Sequence, residues 1–131
     1  ITAAVKVPQT LSHLHYWNVR LTREASKEEV LEAFKTSSRI QFINYSDGLV
    51  SNNTIKEMYL DAGRPWGDMY EVALWEDMLK VEGDELFYAY VVDNQAIVIP
   101  ETIDAIRSLT GIEESAEKSI VKTNKSLGIN Q

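Results

Sequence analysis

The sequence contains no cysteine, so it can form no disulfide and offers no thiolate as nucleophile or metal ligand. Cysteine-protease, thiol-redox and thiohemiacetal chemistry therefore lie beyond these residues acting alone. There is no apolar run near the roughly 20 residues that cross a bilayer; the stretch before Pro100 is only Ala96 to Ile99. The start has neither the basic residues nor the apolar stretch of a secretory leader. A cytoplasmic protein with no membrane partner is expected, and the three Asn-x-Ser/Thr patterns at Asn44, Asn52 and Asn124 are read as unused. Positive charge is short as well: the formal net charge is -7, which disfavours a phosphate-backbone reader and so nucleic acid. No Gly-rich phosphate loop of the dinucleotide or P-loop kind occurs. With no initiator Met, a chain beginning at Ile1 reads as a piece of something longer or as a processed product.

What is present suits a soluble globular protein: 131 residues, 44% hydrophobic and 25% charged. That is one domain of ordinary length, able to bury a core without a disulfide or a structural metal. Two β-type runs open it, Ala3 to Val7 stopped by Pro8, and Leu11 to Leu21. Ser26 and Glu29 form a capping box ahead of Val30, Leu31 and Phe34, which recur at helical spacing. Arg39 to Tyr45 reads as a strand ending at the Asp47-Gly48 turn, and a helix from about 53 to 61 is closed by Gly63. Strands Tyr70 to Trp75, Met78 to Glu82 and Glu85 to Val92 follow, the last two joined by a Gly83-Asp84 hairpin. Pro100 starts a helix with Ile103, Ile106 and Leu109 along one stripe, and Ser115 to Leu127 forms another, closed by Gly128. This order predicts an α+β fold: one mixed, mostly antiparallel sheet with helices on one face.

In Glu85 to Val92 both faces are apolar, Leu86, Tyr88, Tyr90 and Val92 against Phe87, Ala89 and Val91. Either helices cover both sides or the second face meets another subunit. The small number of amphipathic helices favours the subunit. The only histidines, His13 and His15, are two apart in a strand, which puts both imidazoles on one face. Three readings stay open: structural histidines bonded to backbone, two ligands of a metal completed by carboxylates, or a general base served by a nucleophile from elsewhere. Trp17, Trp66 and Trp75 read as core or interface aromatics. The pairs Glu76-Asp77 and Glu113-Glu114 read as solvated or capping acids.

The stretch Val7-Pro8-Gln9-Thr10-Leu11-Ser12-His13-Leu14-His15, with Asn18 and Val19, resembles the Pro-Thr-Thr-Leu-Met-His-x-His segment of archaeal-type glyceraldehyde-3-phosphate dehydrogenases. Ile97-Val98-Ile99-Pro100-Glu101-Thr102-Ile103-Asp104-Ala105-Ile106-Arg107 resembles that family's Val-Val-Pro-Glu-Asn-Ile-Asp-Ala-Ile-Arg. Gly63-Arg64-Pro65, Asp68 and Lys122 to Ile129 are similar too, in the right order. The resemblance implies that residues 1–131 are a single domain, most of a catalytic domain with its C-terminal helices, and that the dinucleotide-binding domain is absent from this chain. It implies an oxidation of glyceraldehyde 3-phosphate, with inorganic phosphate and NAD or NADP, to 1,3-bisphosphoglycerate, by a homo-oligomer whose catalytic domains meet through a sheet face. The nucleophilic cysteine would lie in the missing part, so the chain alone is expected to be inactive and to bind no cofactor. By the same resemblance His13 is the base. Two departures stand out: Ser12 replaces a Met, and Asp93-Asn94-Gln95-Ala96 replaces His-Gln-Glu-Ser. They leave a rival reading, a non-catalytic binding or assembly domain of this fold with structural or metal-holding histidines.

Overall fold

A computed structural model describes residues 3–9 and 12–129. The order is β1 (Ser12–Arg20), α1 (Lys27–Lys35), β2 (Ile40–Ile43), α2 (Asn52–Asp61), β3 (Val72–Trp75), β4 (Lys80–Glu82), β5 (Glu85–Asp93), α3 (Val98–Thr110) and α4 (Ala116–Leu127). The Ser26–Glu29 capping box is formed, side chain to backbone in both directions, and it fixes where α1 begins. Residues 3–7 form no strand: they are exposed and irregular, having found no ladder partner among the described residues. Leu11, expected to open β1, lies outside the described residues.

The sheet runs β1-β5-β3-β2, with β4 also on β5. β1, β3 and β4 are antiparallel to β5, and β2 is parallel to β3, the one pair joined through a helix, α2. The α+β class and the mixed, mostly antiparallel sheet follow the sequence. The helices, however, are not confined to one face. Side chains alternate along β5, so Ala89 and Val91 join Ala73, Trp75 and Ile43 under Ile55 and Tyr59 of α2. Leu86 turns the other way and joins Leu74 and Leu79 under Val30 and Leu31 of α1. Both apolar faces thus gain helical cover, which is the first of the two alternatives for this strand. Yet α1 has only nine residues and covers one end. At its margin Tyr88, whose ring lies 5.5 Å from Phe34 of α1, and Tyr90 stay half-buried, and Trp17 is exposed on the same face. Trp75 lies in the core, its Nε1 donating to the Leu49 carbonyl at 2.7 Å. No helix of the described residues is long and apolar enough to cross a membrane.

Candidate functional site

Antiparallel pairing sets His13 opposite Val92, His15 opposite Tyr90 and Ser12 opposite Asp93. The period-two expectation holds: the two imidazole centroids are 5.9 Å apart on one face. Their surroundings differ. His15 lies flat on the Tyr90 ring at 4.8 Å, and the Tyr90 hydroxyl accepts from Trp17 Nε1 at 3.1 Å, so His15 belongs to an aromatic ladder. His13 sits at the strand's entry, exposed, and lines a cleft of about 480 Å³ with Lys6, Gln9, Ser12 and Asn94. Among the described residues no group of three or more His, Asp or Glu side chains could hold a metal ion.

The strand entry behind His13 is held by a polar cluster that sequence reasoning did not find. Asn52, the first residue of α2, donates to Ser12 Oγ at 3.0 Å and to Gln9 Oε1 at 2.6 Å, and the Gln9 amide donates to the Ser12 carbonyl. Next to Ser12 in register, Asp93 is only 2% exposed. A buried carboxylate must be fully satisfied. Here its Oδ1 accepts the backbone N–H groups of Gln95 at 2.9 Å and Ala96 at 3.0 Å, closing the turn into α3, while Oδ2 meets Lys56 Nζ at 3.2 Å. The two departures from the family pattern are therefore neighbours, and each has a local role: Ser12 ties β1 to α2, and Asp93 ties the end of β5 to α2 and to the start of α3. That pairing of departures was the signal available in the sequence.

Two further ion clusters fix the frame. Arg64 makes a two-pronged pair with the buried Glu71 at 3.0 and 2.6 Å, donates to the Gly128 carbonyl at 2.8 Å, and lies between the rings of Tyr59 and Tyr70, 5.3 and 5.1 Å from their centroids. Burial, helped by the Glu71 charge and opposed by Arg64, raises the Tyr59 hydroxyl's pKa. Between α3 and α4, Asp104 accepts from Ser119 and Thr123 hydroxyls, each at 2.6 Å, and pairs with Arg39 and Arg107. Burial alone would raise its pKa, but these hydrogen bonds and the Arg39 charge outweigh it and hold the carboxyl below the usual range. Asp77, as expected of an acid at a turn, accepts the N–H groups of Tyr45 and Ser46, each at 3.0 Å.

An exposed imidazole on an open cleft, with an ammonium and amides around it, can pass a proton to or from a group delivered from outside. The chain itself holds no thiol to activate. Curated glyceraldehyde-3-phosphate dehydrogenases match it almost end to end. That of Methanopyrus kandleri is 41% identical over 128 residues, covering 98% of this chain and 37% of that protein. This chain is homologous to a segment of the archaeal glyceraldehyde-3-phosphate dehydrogenases. Those of Methanobrevibacter smithii and Pyrococcus furiosus are each 40% identical over the same length. The chain spans somewhat over a third of the length of the dehydrogenases it matches, 38% in both cases. No protein-family profile matches it.

Proposed function

We propose that residues 1–131 are the catalytic-domain segment of an NAD(P)-dependent phosphorylating glyceraldehyde-3-phosphate dehydrogenase, with His13 as its general base. The observation that carries this is the position of His13: of the two histidines it is the one left exposed on an open cleft, in a chain whose dehydrogenase relatives match it over nearly its whole length. In this reading a cysteine from outside residues 1–131 supplies the nucleophile. His13 would take the thiol proton before attack on the aldehyde, return it to the oxyanion that attack creates, and take it again as the carbonyl re-forms; NAD(P), held by the rest of the enzyme, would supply the hydride acceptor. Inorganic phosphate would finally attack the thioester carbonyl, breaking the C–S bond and releasing the cysteine thiolate and the acyl phosphate. The chain contributes no glycine-rich phosphate loop, so the nucleotide domain belongs to the rest of the enzyme, a cytoplasmic homo-oligomer.

The test has two arms. The 131-residue chain alone is expected to show no phosphate-dependent reduction of NAD or NADP. In the full-length enzyme, His13→Ala should lower kcat by roughly 10²- to 10⁴-fold, the usual contribution of a positioned base. An unchanged kcat would remove His13 from the chemistry. The rival reading, an assembly domain with structural histidines, is favoured instead if the full-length protein has no such activity while His13→Ala lowers its thermal stability.

A further inference from the structure

The His13 side chain has little support of its own. Among the described residues no hydrogen bond reaches either nitrogen of its imidazole, and its one ring neighbour is His15 at 5.9 Å. It also sits at the entry of β1, and strand ends are where local opening is easiest. A base in that setting has to be held through its backbone, because a misplacement of about 1 Å can cost roughly 10²-fold in rate.

The backbone is gripped from α2. Asn52, the first residue of that helix, is only 9% exposed, and a buried amide must be bonded. It spends both amide hydrogens on the strand entry, one on Ser12 Oγ at 3.0 Å and one on Gln9 Oε1 at 2.6 Å, while the Gln9 amide closes the ring on the Ser12 carbonyl. Successive side chains of a strand leave on opposite faces, so pinning Ser12 towards α2 fixes the direction in which His13 leaves on the other side. One helical turn on, Lys56 holds Asp93, which stands opposite Ser12 in the ladder. The helix therefore grips β1 and β5 at one level, beside the cleft. Both strand-side ends of the grip are departures from the dehydrogenase pattern, so it is a feature of this chain and not of that pattern; a Met at position 12 would offer no hydroxyl oxygen to Asn52. Asn52 does not line the cleft, and what it does there it does through Ser12. We infer that Asn52 is a positioning residue for His13. The inference rests on the reading proposed above, in which His13 is a general base.

The experiment measures kcat and KM of the full-length protein, with circular dichroism establishing that each variant is folded. Asn52→Ala is expected to lower kcat roughly 10- to 100-fold while KM changes far less. Thr54→Ala is the control: it removes hydrogen bonds at the start of the same helix but touches neither Ser12 nor Gln9, and it should keep its kcat. Ser12→Ala breaks the same bond from the other end and serves where Asn52→Ala does not fold. Combined, the two substitutions should cost no more than Asn52→Ala alone, since they remove one shared bond. An unchanged kcat in Asn52→Ala, an equal loss in Thr54→Ala, or effects of Asn52→Ala and Ser12→Ala that multiply would each overturn the inference. Wild-type activity separates it from the reading beneath it. An inactive wild-type protein overturns the enzymatic reading and this role together, whereas an active one whose Asn52→Ala variant keeps its kcat overturns the positioning alone.

Discussion

Replacing Arg64 by Met tests how the core around Glu71 is held. Arg64 is the only partner at salt-bridge distance that the described residues give the Glu71 carboxylate, whose side chain is 2% exposed. Met keeps much of the aliphatic stem between Tyr59 and Tyr70 but leaves a charge in the core with nothing opposite it. Breaking a buried pair this way costs about 3–5 kcal/mol, because the stranded ion keeps its desolvation penalty. Loss of the stacking on two rings adds roughly another 1 kcal/mol. An unfolding entropy of about 2.1 cal/mol/K per residue makes 1 kcal/mol worth roughly 3–4 °C in a chain of this size. The expected fall in Tm is therefore about 12–24 °C, read by circular dichroism and checked by urea titration. The diagnostic variant is the double one, Arg64→Met with Glu71→Gln. It removes the stranded charge and should recover at least half of the loss. If the double variant is as unstable as the sum of the two single ones, the cost lies in packing and not in the uncompensated carboxylate, and the reasoning fails.

Asp104→Asn should cost about 2–4 kcal/mol at pH 7, since Arg39 and Arg107 lose their shared carboxylate. Because the folded-state pKa of Asp104 is depressed, its contribution is complete above the ordinary carboxylate range and is lost as pH falls through the folded value; urea titrations should show the gap to wild type closing below about pH 4. Gly67→Ala should cost roughly 2–4 kcal/mol, because a Cβ at φ +67° would stand 2.9 Å from both Leu60 Cγ and the Lys56 carbonyl. Gly128→Ala, at the same φ with open space around it, should cost only about 1 kcal/mol, and thermal melts showing equal losses would refute the steric argument. The half-covered face around Trp17, Tyr88 and Tyr90 should make the chain self-associate in sedimentation velocity, less so in Trp17→Asp; a clean monomer at high concentration would mean that this face needs no partner.

Much of this was legible in the sequence because its signals are local. A capping box sits where α1 begins, Gly83-Asp84 turns β4 into β5, and Gly111 and Gly128 close α3 and α4 in the left-handed region. Period two in β1 put both histidines on one face, as observed. What escaped depends on which elements meet. Residues 3–7 are β-prone but have no ladder, so propensity alone misled. The side taken by α1 was hidden because Leu74 and Ala73, adjacent in sequence, serve different layers. For the site, residue types and period two gave the histidine pair, and the family resemblance chose His13 from it. What the sequence could not show is their different settings, a Tyr90 ring beneath His15 and a cleft beside His13. The Asn52, Ser12 and Gln9 cluster spans more than 40 positions, and no spacing rule reaches that far.

Within the described residues β1 ladders on one side only, along β5 for all nine of its residues. Its outer side is then a row of backbone N–H and C=O groups, with no proline or lysine and with Arg20 the only Arg, Asp or Glu of the strand. Such an edge is a template for one more strand, and natural sheets left open this way are usually blunted by bulges, prolines or lysines. His13 stands at one end of that template. Any strand that extends the sheet there also stiffens His13, so the geometry of the cleft becomes a property of how the sheet is finished.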